Sequence, residues 1–493
     1  MSEPDGKEQA WSAPSGWEAV IGLEVHAQLR TQTKLFSSAP NDFGGEPNTC
    51  TTEVDLGLPG ILPVLNREAI ELAVRAALAM GCEIRLVSTF ARKHYFYPDL
   101  PKGYQISQYE EPYALGGKVP VQLEGEVRTV PLTRIHMEED AAKSTHEGGE
   151  ASRRESRVNL NRAGVPLIEI VSEPEIRSPQ EAGAYFRSLR SILRYLAVSD
   201  ADMEKGQLRC DANVSVRHIG QTELGTKVEL KNLNSFRFVE RAVAFEIERQ
   251  VEVLEEGGEI FQETRLWDER AACTRVMRSK EFADDYRYFP DPDLIALRLD
   301  AAYVDKLRAD LPELPHQRRA RFEADLGLPP YDAQILTEDL EIAEFFEATL
   351  RLYPKPKLVS NWIMRSVLEV IGSRGGSISG TSLTPDHLRQ VLELVEGGSL
   401  TPAHGRQVLA EVAESGASAA EVVKARGLEA VSDPDELEAI AREAVEANAA
   451  NVEKYRAGEQ KLFNFFVGQV MKRTQGKANP ALVREILTKL LGS

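Results

Sequence analysis

Apolar and polar residues alternate from Val20 to His26 (VIGLEVH). Ile21, Leu23 and Val25 therefore share one face of a strand, and Glu24 and His26 share the other. The strand predicted there covers residues 17–30. Further strands are predicted over Gly117–Val121, Val127–His136, Val158–Leu160, Pro166–Val171 and Leu208–Val216. In the last of these, Leu208, Cys210, Ala212, Val214 and Val216 form one face, and Arg209, Asp211, Asn213 and Ser215 the other. Between the strands the period becomes helical. Pro179–Leu196 places Ala182, Phe186, Leu189, Leu193 and Leu196 on one stripe, and Asn234–Glu255 follows the same rule. Asn66 is a predicted N-cap for a helix running to Met80, with Gly81 as its stop. Residues 31–66, rich in Gly, Pro, Asn and Thr, are expected to be ordered loop with short strands.

The pattern changes after Pro290-Asp291-Pro292-Asp293. Helical spacing then covers Leu307 and Leu311, Arg318–Leu326, Asp339–Leu352, Ser360–Ile371 and Pro385–Glu396, broken at Gly372–Gly380 and Gly397-Gly398. From residue 402 four or five Ala-rich amphipathic helices are expected, separated at Gly416, Gly427, Ser432–Pro434 and Gly476–Pro480. The expected class is α+β. A disordered N-terminus (1–16) precedes a large antiparallel-sheet domain (17–295), an all-α helical domain (296–400) and a small all-α tail domain (401–493).

Composition narrows the class. With 42% hydrophobic and 28% charged residues over 493 positions, the chain has material for buried cores and a soluble surface. No run approaches the ~18 apolar residues of a membrane span, and residues 1–16 lack the apolar centre of a signal peptide, so a cytoplasmic location is expected. Cys50, Cys82, Cys210 and Cys273 are widely spaced, which argues against a disulfide framework or a cysteine zinc site. The formal charge of −18 argues against nonspecific coating of nucleic acid. From Lys454 to Ser493, however, eight Lys and Arg stand against two Glu, a local +6 that points to a polyanionic partner at the C-terminus.

The candidate chemistry sits on the strands. Glu24 and His26 can reach one cation or one reacting group. Glu138 and Glu139 close the strand in LTRIHMEEDA, followed by Asp140. Glu169 is the lone ionisable group in PLIEIV, and a carboxylate in a doubly buried strand needs a partner. Several carboxylates with one Asn and one His suit a hard divalent cation, although a His ligand also fits Mn²⁺ or Zn²⁺. The alternative is that each carboxylate answers a nearby Arg134, Arg157 or Arg162. Residues 92–108 (RKHYFYPDLPKGYQISQ) set aromatic rings beside Arg92, Lys93 and Lys102, as stacking on a base and holding a phosphate require. ELKNLNSF ends a strand in a polar turn at a helix start, where backbone N–H groups bind anions. There is no G-x-x-x-x-G-K-[ST], G-x-G-x-x-G or G-x-S-x-G, so any nucleotide is not held by a P-loop.

IGLEVHAQL, DLGLPGILPVLN, RKHYFYPDLPKGYQISQ, RIHMEEDAAKSTHE, GVPLIEIVSEPEIRSP, LRCDANVSVR, ELKNLNSF, DDYRYFPDPDL and VGQVMKRTQGKANPALV occur in order from Trp17 almost to the C-terminus. This set resembles the B subunit of bacterial aspartyl/glutamyl-tRNA amidotransferases, the GatB component of the GatCAB type. The resemblance implies a catalytic "cradle" domain, a helical domain and a YqeY-like tail. It implies MgATP-dependent phosphorylation of the side-chain carboxylate of misacylated Glu-tRNA(Gln) or Asp-tRNA(Asn), then displacement of phosphate by ammonia from an amidase A subunit. A small C subunit completes the heterotrimer. By position it implies Glu24, His26, Glu139 and Glu169 as metal ligands (Mg²⁺, with Mn²⁺ as the alternative), with Glu138 and Asp211 beside them in the catalytic set. Lys93, Lys102, Glu139 and Asp211 are implied to line the ammonia path, and Lys472, Arg473 and Lys477 to contact tRNA phosphates.

The chain departs from the family pattern in two places. Cys50 lacks a neighbouring cysteine partner, so no zinc knuckle is expected, and about five residues within Gly148–Glu155 look inserted. Two other readings compete: a non-catalytic tRNA-binding scaffold with a degenerate cradle, and a metal-dependent hydrolase acting alone. The presence of Glu24, His26, Glu139 and Glu169 disfavours the scaffold.

Overall fold

The computed structural model describes residues 11–123, 126–145, 157–279, 286–373, 376–429, 434–474 and 477–492. Most of the expected disordered N-terminus and the apparent insertion within 148–155 lie outside the described residues. The chain forms two compact units, Met1–His316 and Gln317–Ser493.

The first unit is organised on a ten-stranded sheet whose centre is the opening strand, Trp17–Gln28. This strand pairs antiparallel with Pro166–Ser172 on one side and Leu208–His218 on the other. Beyond them lie Glu126–Glu139 and Val228–Lys231. One pair breaks the antiparallel rule: Val228–Lys231 runs parallel to Glu263–Asp268, which pairs antiparallel with Cys273–Ser279. The period-two alternation is realised across the sheet. Ile21, Leu23, Val25, Ile168, Ile170, Ile135, Ala212 and Val214 are wholly buried in one apolar layer. Two helices pack on it, Pro179–Tyr195 and Phe236–Glu255. Both start where sequence dictates. The Ser178 hydroxyl accepts from Glu181 N with Pro179 at the first turn, and the Ser235 hydroxyl accepts from Phe238 N. Asn66 caps the helix Arg67–Ala79 in the same manner.

Three differences from expectation have physical causes. Residues 31–66 carry no strand, only an isolated bridge between Thr33 and Pro40, since the side chains of Asn41 and Asn66 donate to backbone carbonyls and the Asp55 carboxylate accepts from Thr52 N. The first unit runs past residue 295 to His316, because the helix Ala301–Ala309 buries Val304 and Leu307 in the sheet-domain core. In the second unit, the helices Pro402–Ser415 and Ala419–Arg426 join the core built by residues 322–400, through Val408, Leu409, Val412 and Val423. A separate small core begins only at Leu437 and continues through Phe466, Val470, Val483 and Leu487. Ser360–Ile371 is helical as expected, but Ile363–Val367 within it is a π-helical turn.

Candidate functional site

If one face of a strand is packed under helices, every polar side chain of that strand is driven to the other face. In this sheet the register then brings polar residues of neighbouring strands abreast. His26 faces Glu169 on one side, and Glu169 faces His136 on the next strand. Glu24 faces Asp211, and Asn213 faces Glu229. The result is a polar grid at the centre of a sheet.

The ring of His26 lies with Nε2 3.4 Å from Glu169 Oε2 and 3.6 Å from Glu138 Oε1. His136 Nε2 lies 3.2 Å from the same Glu169 oxygen. His26, Glu138 and Glu169 each offer a ligand atom, and these atoms lie within 4.8 Å of one another. Glu24 extends the cluster and accepts from Asn213 Nδ2 at 2.9 Å. Lys231 Nζ donates to Asp211 Oδ2 at 2.5 Å and lies 3.3 Å from Glu229 Oε1. All of these groups except Asn213 line a cavity of about 340 Å³. Its other wall comes from Lys93, Ser107, Gln108, Tyr109, Tyr286 and Tyr288. Tyr109 and Tyr288 stack with centroids 4.1 Å apart, and Lys93 Nζ stands 4.8 Å over the Tyr286 ring.

The electrostatics describe a site short of positive charge. Burial opposes protonation of His26, but Glu169 and then Glu138 override it and push its pKa up to about 9. Burial, then Glu169, Glu229 and Asp211, raise Glu24 above the ordinary carboxyl range. For Glu169 burial acts upward, yet the two imidazoles hold it well below its ordinary value. Lys93 is kept protonated against burial by the tyrosine oxygens and by Glu138 and Glu169. No arginine forms an ion pair with Glu24, Glu138 or Glu169 among the described residues. Arg162 instead lies 3.6 Å from Asp140 and donates to the carbonyls of Ala141 and Ala142, and Arg134 Nε donates to His136 Nδ1 at 3.4 Å. The alternative of carboxylates answered by Arg134 or Arg162 is therefore not realised at this cluster.

Adjacent strand residues point to opposite faces, so Glu138 and Glu139 cannot both enter one cavity. Glu138 faces His26. Glu139 turns away, its buried carboxylate paired with Lys102 and accepting from Ile106 N at 2.9 Å. The ligand set implied by the resemblance thus meets a geometry in which Glu138, and not Glu139, stands with Glu24, His26 and Glu169. Of the implied ammonia-path residues, Lys93 and Asp211 line the cavity, while Lys102 and Glu139 form their own pair beside it. Sequence reasoning missed His136, Glu229 and Lys231 and named Arg134 only as a partner for a carboxylate. Counting back by two from Glu138 finds His136 and Arg134, and the same count along ELK finds Glu229 and Lys231. Nothing local marks Tyr288 as a wall of the site.

In the second unit, Lys472 and Arg473 lie exposed in the last turn of the helix Leu462–Arg473, and Arg473 Nη1 pairs with Glu443 Oε2 at 2.9 Å. Lys477 follows the helix and is half-buried. No helix among the described residues is long and apolar enough to cross a membrane.

Residues 19–305 match the GatB/GatE catalytic domain and residues 344–491 match the GatB domain. The chain is 51% identical over 476 residues to the B subunit of the aspartyl/glutamyl-tRNA(Asn/Gln) amidotransferase of Persephonella marina, covering 96% of this chain and 99% of that protein. The protein of the same name from Thermodesulfovibrio yellowstonii is 50% identical over 475 residues, covering 96% and 99%. That from Halorhodospira halophila is 51% identical over 477 residues, with the same coverage. The polar grid lies within the region that matches the catalytic domain, and the chain belongs to the family of B subunits of aspartyl/glutamyl-tRNA(Asn/Gln) amidotransferases.

Proposed function

We propose that this chain is the activating subunit of a tRNA-dependent amidotransferase, working with an amidase A subunit and a small C subunit. Its substrate is Glu-tRNA(Gln), Asp-tRNA(Asn) or both, and its co-substrate is ATP. The observation that carries the reading is the row His26–Glu169–His136 with Glu138 beside it, a compact set of ligand atoms with too little positive charge of its own.

The donor set fits a hard divalent cation, Mg²⁺ with Mn²⁺ as the alternative: His26, Glu138 and Glu169 would hold it, with Glu24 adjacent. When bound, the ion supplies charge neutralisation for ATP phosphates and the carboxylate. The chain's own residues supply the rest. Lys93, Lys231 and Arg134 line the cavity and offset the negative charge of the phosphoryl group in flight. One side-chain carboxylate oxygen of the aminoacyl group attacks the γ-phosphorus; the O–P bond forms, the bond to the β-phosphate bridge breaks, and ADP leaves. Ammonia then attacks the acyl carbon, and the C–O bond to phosphate breaks. The excess proton on nitrogen passes to a carboxylate of the cavity, and Asp211 is one that lines it. The polar walls hold both reactants in line, which lowers the entropic part of the barrier. The basic surface at Lys472, Arg473 and Lys477 provides phosphate contacts for the tRNA body.

The test is reconstitution with purified A and C subunits, each misacylated tRNA, glutamine and ATP. Amide formation that needs ATP and fails in Glu169→Ala supports the reading. Normal turnover in Glu169→Ala would reduce this chain to a scaffold.

A further inference from the structure

The site just described occupies the middle of the opening strand. At the Gln28 end of the same strand a second, larger cavity of about 570 Å³ opens. That volume is in the range of nucleotide-sized ligand sites. Its floor is tied: Gln28 Nε2, Arg209 Nη2 and Arg162 Nε converge on the buried Asp140 Oδ2 at 3.1, 2.9 and 3.6 Å. Three features give the larger cavity a chemistry of its own. Phe43 stands 64% exposed at it, an aromatic ring with no packing duty. Lys205 Nζ lies 5.9 Å from that ring's centroid. Four cationic residues line it, Arg30, Lys143, Arg162 and Lys205, with Lys143 exposed among them. A free ring beside cations is the arrangement that stacks a splayed base and holds its phosphate.

Distance links this cavity to the site. Gln28 stands two residues beyond His26 on the same strand face, roughly 7 Å along it. An ester-linked glutamyl group, extended from the ribose oxygen to its side-chain carboxyl, spans about 6 Å from standard bond lengths. We propose that the cavity seats the 3′-terminal nucleotide of the aminoacylated RNA, its base on Phe43, its phosphate at Lys205 and Lys143, and its ribose beside Gln28. This rests on the function proposed above and assigns where that substrate's end is held. The ester then points across the floor, and the carboxyl to be activated arrives at His26.

The test uses Phe43→Ala and Lys205→Glu in the reconstituted three-subunit enzyme. Both residues are surface groups away from the candidate ligands, and among the described residues the only ion pair of Lys205 is with Asp202 at 3.1 Å. KM for aminoacyl-tRNA should rise about tenfold in each, the loss of one stacked base or one phosphate contact. KM for ATP and for glutamine should stay put. A fluorescent single-stranded oligonucleotide carrying the 3′-terminal RNA sequence should bind the wild-type enzyme and bind each variant about tenfold more weakly. This binding reads the cavity even where the wild-type enzyme forms no amide, so failure of the functional reading and failure of this assignment are distinguishable. Unchanged KM for aminoacyl-tRNA together with unchanged oligonucleotide binding overturns the proposal. A rise in KM for ATP alone would give the cavity to the nucleoside triphosphate. Weakened assembly of the three-subunit complex by gel filtration, with RNA binding intact, would make Phe43 a protein contact; both outcomes also overturn it.

Discussion

Glu24→Gln separates function from stability most sharply. Glu24 faces Asp211 across the strand pair and is raised above its ordinary range by burial, then by Glu169, Glu229 and Asp211. Without a cation its negative charge is therefore a burden. Side chains on facing residues lie roughly 5 Å apart, and two unit charges at that distance repel by about 3 kcal/mol at an effective dielectric near 20. Lys231 and partial exposure reduce this, leaving about 1–2 kcal/mol to be gained by neutralising Glu24. The amide oxygen of Gln still accepts from Asn213 Nδ2, so no buried donor is orphaned. In EDTA, Glu24→Gln should melt about 2–4 °C above wild type. Saturating Mg²⁺ should raise the wild-type Tm and raise the variant less. ATP-dependent amide formation should fall by about 100-fold, on the scale of losing a group that shapes a metal site. A variant that melts lower in EDTA, or keeps its turnover, would refute the reasoning.

Glu138→Gln should weaken Mg²⁺ activation about tenfold or more, whereas Glu139→Gln should leave the Mg²⁺ dependence unmoved and lower Tm by stranding the buried Lys102 charge; Mg²⁺ titrations of activity alongside melting curves check both. Ending the chain after Leu428 removes the third core whole while leaving the second intact, and should weaken tRNA binding at least tenfold in a filter assay. Amide formation at saturating tRNA should persist, and unchanged affinity would remove the tail as an anchor. Leu23→Ala, in the wholly buried layer, should cost about 2–5 kcal/mol by urea unfolding at unchanged slope.

The sheet's polar face was legible where parity could be counted. Alternation alone put Glu24 with His26, and Asp211 with Asn213, and the structure lays both pairs on one face. Parity also separates Glu138 from Glu139; the resemblance, matched position by position, implied Glu139 as the ligand with Glu138 beside it, and the structure turns Glu138 into the cavity. His136 is open to the same count, two residues before Glu138 on the same strand face. The aromatic wall was not legible: Tyr109 and Tyr288 stack across a separation of 179 positions in the chain, and only tertiary folding supplies that contact. Domain limits followed packing rather than composition. The Pro-Asp stretch at 290–293 marks a loop, yet Val304 and Leu307 still bury into the first core. Gly397-Gly398 breaks a helix without ending a domain, since Val408 and Val412 pack back into the preceding core.

If His26, Glu138 and Glu169 hold the divalent cation on which activation depends, Mn²⁺ titration of the full chain by electron paramagnetic resonance shows it directly. One Mn²⁺ per chain should bind and be competed by Mg²⁺, with affinity at least tenfold weaker in Glu169→Gln. A wild-type chain that leaves the Mn²⁺ spectrum unbroadened, or a Glu169→Gln chain that binds as tightly, would contradict the assignment.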